Sequence, residues 1–120
     1  MPLNTTIPTL DRWRIPPDID TLRMRYDASA HQWQDNLTRL GQLHDYQLLF
    51  NSQPVRSYLS HLNQMSKILD CGLGTGAFSL ALLDSIDQPA CISGIDISSP
   101  MLTRAQQILE TRCTTLDLIR

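Results

Sequence analysis

A short apolar run, Lys67-Ile68-Leu69-Asp70-Cys71, leads straight into Gly72-Leu73-Gly74-Thr75-Gly76, and an apolar helical stretch follows. No other feature of the chain restricts its fold as much. Glycines between a strand and a helix allow positive φ and bring bare backbone close to a ligand. The N–H groups that open the following helix favour a phosphate or another polar cofactor group there. Strand, glycine turn and helix thus read as the start of a βαβ unit built around a cofactor. A tight structural turn uses glycines too, so the surrounding chain has to decide.

Downstream, Ala77, Phe78, Leu80, Ala81, Leu82 and Leu83 predict a largely buried helix that ends before Pro89. Ala90-Cys91-Ile92-Ser93-Gly94-Ile95-Asp96 is a second strand. Ser98-Ser99-Pro100 then starts a helix, with serine as cap and proline in the first turn. Met101, Ala105, Ile108 and Leu109 form its inner face, and Thr114 to Ile119 reads as a third strand ahead of Arg120. Upstream, Leu22, Tyr26, Ala30, Trp33, Leu37 and Leu40 draw one apolar stripe down a helix. Gly41 stops it. Leu43, Tyr46, Leu49 and Phe50 mark a second helix, broken at Asn51, Ser52 and Pro54. Val55, Tyr58, Leu59 and Leu62 mark a short third.

Strands alternating with helices imply a parallel sheet with right-handed crossovers. The fold class is α/β: an incomplete, Rossmann-like parallel sheet of three strands in the order helix-helix-β-α-β-α-β. Residues 1–17 read as an extended, proline-punctuated arm, with Trp13 and Ile15 expected to pin it to the body. Residues 18–64 form a helical cap segment, and residues 65–120 the first half of the Rossmann-like domain.

Composition narrows the function classes. The chain of 120 residues is 42% hydrophobic and 18% charged with a net charge of −2, which suits one globular domain. It has no basic excess, so neither nucleic acid nor an anionic membrane is expected as a partner. Arg12, Arg14, Arg23 and Arg25 alternate with acids and apolar residues, as on a solvated helix face. Cys71, Cys91 and Cys113 form no C-x-x-C pair and suit a reducing, cytoplasmic setting. The N-terminal stretch has no apolar core of the signal-peptide or membrane-spanning kind. His31, His44 and His61 make no metal set and read as surface or packing histidines.

Asp96 gives the glycine turn its context. It ends the second strand about 20 residues past the turn, where a carboxylate accepts hydrogen bonds from both hydroxyls of a ribose. An acid at a strand end also caps helices, but Ser98 and Ser99 are available for that. Gly72-x-Gly74-x-x-Ala77 satisfies the dinucleotide pattern, whose last position accepts alanine. Three features point away from NAD and an oxidoreductase domain. Asp70, just before the glycines, would repel a pyrophosphate and attract an ammonium or sulfonium group. The glycines alternate as G-x-G-x-G. A long helical segment precedes the first strand, whereas dinucleotide domains tend to open on it.

At these residues the chain resembles the class I S-adenosylmethionine-dependent methyltransferases, of the small-molecule type. Ile68 to Gly76 looks like that family's first motif, and Ile95-Asp96-Ile97-Ser98-Ser99-Pro100-Met101-Leu102 like its second, with Ala105 at the matching helical step. Cys71 departs from the usual small or apolar residue, and Leu73 from a frequent cysteine, serine or proline. The resemblance implies S-adenosylmethionine as cofactor, with roles for individual residues. Gly72, Gly74 and Gly76 would shape the loop around the methionine part and the ribose. Asp70 would bind the ammonium group, directly or through water, and Asp96 the ribose hydroxyls. Ile97 and Met101 would pack on the adenine. Tyr26 is the candidate aromatic over the cofactor, although an ordinary core tyrosine fits its position equally. Trp33 reads as core, and no catalytic base is identified.

The family's sheet usually has seven strands, with the first central, the second and third to one side, and the fourth on its other flank. By that resemblance, the fourth strand and most acceptor contacts would be expected beyond these residues. The first strand is therefore expected as an exposed apolar edge that invites self-association. A fragment, a truncated gene product and a dimer completing the sheet all fit, and a self-sufficient methyltransferase fits least. The readings are the cofactor-binding portion of a methyltransferase with a small-molecule acceptor, a non-catalytic remnant or partner-dependent module, and an NAD-binding domain.

Overall fold

A computed structural model describes residues 18–120. The arm expected over residues 1–17, with Trp13 and Ile15, lies outside the described residues.

The cap segment is four short helices: α1 (Ile19–Ser29), α2 (Trp33–Arg39), α3 (Gln42–Asn51) and α4 (Gln53–Leu59). Asp18 caps α1, accepting from the Thr21 backbone N–H at 2.7 Å and from its hydroxyl at 3.1 Å. Those bonds, the backbone one foremost, hold the Asp18 carboxyl below its ordinary 3.8. The single helix expected across Asp18–Leu40 is interrupted by a 3₁₀ turn, Ala30–Gln32. Just before it, the Ser29 hydroxyl donates back to the Arg25 carbonyl at 2.7 Å, a bond that bends helices. The apolar stripe fails at its end too. Leu40 is 70% exposed because α2 stops at Arg39 and left-handed Gly41 turns the chain away. Tyr58 on α4 is likewise exposed.

The remaining elements match the expected order: β1 (Lys67–Cys71), α5 (Ala77–Ile86), β2 (Cys91–Ile95), α6 (Ser99–Leu109) and β3 (Thr115–Ile119). The strands run parallel in the order β1-β2-β3, a three-stranded, incomplete Rossmann-like sheet with β2 in the middle. Rows Ile68–Ile92–Leu116 and Asp70–Gly94–Leu118 share one face. On that face Ile92 packs with Leu83 of α5 and with Ala105 and Leu109 of α6, while Ile68, Leu116 and Leu118 close around them. A second core, of Phe50, Leu59 and Leu82, fastens α3 and α4 to α5. Leu69, Ile95 and Ile119 alternate with these rows and remain exposed. Among the described residues the sheet is thus covered on one face, whereas parallel sheets are normally covered on both. Among the described residues β1 pairs with β2 alone and lies at the edge of the sheet, as expected.

Two side chains settle how the glycine turn sits on the sheet. Leu73, the family-atypical residue, is buried, and its methyls fill the space that a Gly94 β-carbon would need. Gly76 caps α5 at φ +82, and a β-carbon there would come within 2.7 Å of Leu109 Cδ1. Gly76→Ala therefore combines left-handed strain of about 1–2 kcal/mol with overpacking of about 1–3 kcal/mol. Gly41→Ala, at φ +75 with nothing nearby, incurs the strain alone. Urea unfolding should show a clearly larger loss of stability for Gly76→Ala, and equal losses would contradict the close packing.

Candidate cofactor site

The C-terminal ends of parallel strands are where α/β folds bind ligands. There a cavity of about 540 Å³ opens between the sheet and the cap helices, a volume in the range of small-molecule sites. Its floor is Asp70 at the end of β1, the loop from Gly72 to Thr75, and Ile95, Asp96 and Ile97 at the end of β2. Met101 of α6 closes one side, and α1, α2 and α3 form the roof.

Backbone hydrogen bonds hold the loop. The N–H groups of Gly72 and Leu73 both donate to the Ile95 carbonyl, at 2.8 and 3.0 Å, which draws the turn across the end of β2. The Gly74 N–H donates to Asp96 Oδ2 at 2.8 Å, and the Ser98 N–H to Asp96 Oδ1 at 2.9 Å. Two rigid donors thus orient the Asp96 carboxylate. Its four lone-pair positions leave room for further donors. Ser98, expected as the cap of α6, accepts from the Met101 N–H at 3.3 Å. Its hydroxyl also donates to Asp27 Oδ1 of α1 at 2.6 Å, a link that ties the cap segment to the second motif. A second tie runs from the buried Thr75 hydroxyl to Gln34 Oε1 of α2 at 3.2 Å.

Asp70, Gly72, Gly74, Asp96, Ile97, Met101 and Tyr26 all line this one cavity. Gly76 does not; its α-carbon faces Leu109 and Ala105. Trp33, read from the sequence as core, is half-buried and lines the cavity too. It meets Tyr26 edge-to-face with centroids 5.8 Å apart, and its indole nitrogen would lie 3.7 Å from a β-carbon at Gly74. Tyr46 and Phe78 line the cavity as well, centroids 5.0 Å apart, and Phe50 packs on Phe78 with centroids 5.1 Å apart. The helical pattern alone did not separate these cavity aromatics from core residues. The one available signal for Ser79, whose hydroxyl donates to Asp70 Oδ2 at 2.6 Å, was a polar residue inside an apolar helix.

Among the described residues that line the cavity, Asp70 and Asp96 carry the only charges. No group of acids, histidines and cysteines among the described residues is placed to hold a metal ion. No described helix is long and apolar enough to cross a membrane. Glycine loop, strand-end carboxylates and aromatic roof come together around one cavity of an α/β fold. Residues 68–120 match the family model described as a methyltransferase domain. That match supports, for this segment, a likeness to the class I S-adenosylmethionine-dependent methyltransferases. A comparison with curated proteins returned no match.

The double use of Ser98 gives a direct test of the cap attachment. Ser98→Ala removes a helix cap and the donor to Asp27, and should lower unfolding stability by about 1–2 kcal/mol. Asp27→Asn keeps an acceptor for the same hydroxyl and should cost less than half of that. Urea titration monitored by circular dichroism compares them, and a neutral Ser98→Ala would remove the tie from the account.

Proposed function

We propose that the cavity binds S-adenosylmethionine and that this chain serves methyl transfer from it to a small-molecule acceptor. One observation carries the reading: the charges lining the cavity among the described residues are carboxylates alone. A dinucleotide would bring its pyrophosphate against them. A cofactor with a sulfonium and an ammonium group meets attraction instead.

In this reading Asp70 takes the ammonium group, directly or through water. The remaining lone pairs of Asp96 accept the two ribose hydroxyls. Gly72 and Gly74 let the loop lie along the methionine part and the ribose. Gly76 keeps that loop seated on α6. Ile97 and Met101 pack against adenine, and Tyr26, with Trp33 beside it, covers the cofactor. Bound S-adenosylmethionine supplies a methyl group on a cationic sulfur. The residues here contribute binding and orientation, which account for much of the rate in such displacements. The free thiols Cys71, Cys91 and Cys113 support a reducing, cytoplasmic setting.

Calorimetric titration with S-adenosylmethionine, S-adenosylhomocysteine and NAD tests the reading. The first two should bind and NAD should not. NAD binding alone would overturn it, and a folded chain that binds none would be a non-catalytic remnant or partner-dependent module. Because Asp96 also holds Gly74, affinity loss in Asp96→Ala is not specific to ribose. The sharper readout is a 2′-deoxy analogue of S-adenosylhomocysteine. Wild type should bind it about tenfold more weakly than the parent, since a hydrogen bond to a charged group is lost, and Asp96→Ala should not distinguish the two.

The partner reading continues as a proposal that the chain self-associates through the free edge of β1. Among the described residues β1 pairs with β2 on one side only, and Leu69, 60% exposed, and Cys71 lie along it. Sedimentation velocity should show concentration-dependent dimers that Leu69→Lys reduces to monomers, since edge charges oppose strand pairing. A wild-type chain that stays monomeric would refute it.

A further inference from the structure

The inference concerns Ser79, and it rests on the S-adenosylmethionine reading above. Ser79 stands in the first turn of α5, 1% exposed, among the apolar side chains that face the sheet. A serine in a helix ordinarily satisfies its hydroxyl on a carbonyl one turn back. This one donates to Asp70 Oδ2 at 2.6 Å instead, a short, charge-assisted bond. Asp70 lies in the row Asp70–Gly94–Leu118, on the covered face of the sheet, and lines the cavity between β1 and the start of α5. A carboxylate there would otherwise turn about its own side-chain bonds, and each ligand contact would have to overcome that freedom. The bond from Ser79 commits one oxygen and leaves Oδ1 to a ligand.

We propose that Ser79 is a positioning residue for the amino-acid end of the cofactor: through Asp70 it orients the carboxylate that receives the ammonium group. Asp96, by contrast, is oriented by backbone donors. The two ends of the cofactor are thus held by separate devices, one side-chain and one main-chain. Affinity for the amino-acid end is open to change by a single buried hydroxyl that touches no ligand.

Two ligands separate this role from a structural one. S-Adenosylhomocysteine carries the amino-acid portion, and 5′-methylthioadenosine has the same adenosine and thioether without it. Ser79→Ala should weaken S-adenosylhomocysteine by about tenfold and leave 5′-methylthioadenosine within about twofold of wild type. In an Asp70→Asn background, adding Ser79→Ala should change neither affinity further. Ser79→Cys, which keeps the volume with a weak donor, reads the same contrast should the alanine variant not fold. Equal losses for both ligands would mean a structural role and overturn the inference, as would an unchanged affinity for S-adenosylhomocysteine. A folded wild-type chain that binds neither ligand would overturn the cofactor reading itself, and this inference with it.

Discussion

Asp96 accepts one backbone N–H from the glycine loop and another from the start of α6, and the site depends on that pair of bonds. Gly74 and Ser98 belong to different crossovers of the sheet. A carboxylate between them holds the turn after β1 against the turn after β2. Hydrogen bonds to a charged acceptor are among the stronger ones available to a folded chain, and a lost partner leaves a costly orphan. Asp96 also lines the cavity. The carboxylate that organises the loop is thus oriented before any ligand arrives, which lowers the ordering cost of binding.

The cap segment inherits its position from this arrangement. Ser98 has its N–H on Asp96 and its hydroxyl on Asp27. The neighbour of Asp27 is Tyr26, and the helix that follows carries Trp33 and Gln34, the latter bonded to Thr75. A roof built of short helices with few buried residues has a small core of its own. Its polar ties, to the glycine loop through Thr75 and to the turn after β2 through Ser98, add to the apolar core that joins α3 and α4 to α5. Beneath the roof, among the described residues, the sheet has one covered face and a β1 edge without a partner strand, so the cavity end of the fold is formed while a sheet face and an edge stay open.

Much of this was legible in the residues. The three strands, the helices between them, the serine cap of α6 and the role of Gly41 as a stop all follow from local rules of period, capping and backbone freedom. Asp70, Gly72, Gly74, Asp96, Ile97, Met101 and Tyr26 line one cavity. The misses share a cause. A 3.6-residue period shows which side of a helix is apolar but not what that side faces. Trp33, Tyr46 and Phe78 look like core residues in the pattern and turn out to line a cavity. Leu40 continues the stripe in register, yet helix α2 ends before it. Gly76 belongs to the glycine motif, but it serves packing against Leu109 and not the cavity wall.

The residues by themselves determined the order of elements, the glycine turn and the presence of two strand-end carboxylates, because those depend on neighbours within a few positions. Only the tertiary structure decided which lone pairs of those carboxylates are already committed, which aromatics face the cavity, and that Ser79 and Asp27 stand behind the site. Those partners are 9 positions from Asp70 and 71 from Ser98. A buried hydroxyl or carboxylate seeks whichever partner the packed chain brings within reach, and no local pattern encodes that choice.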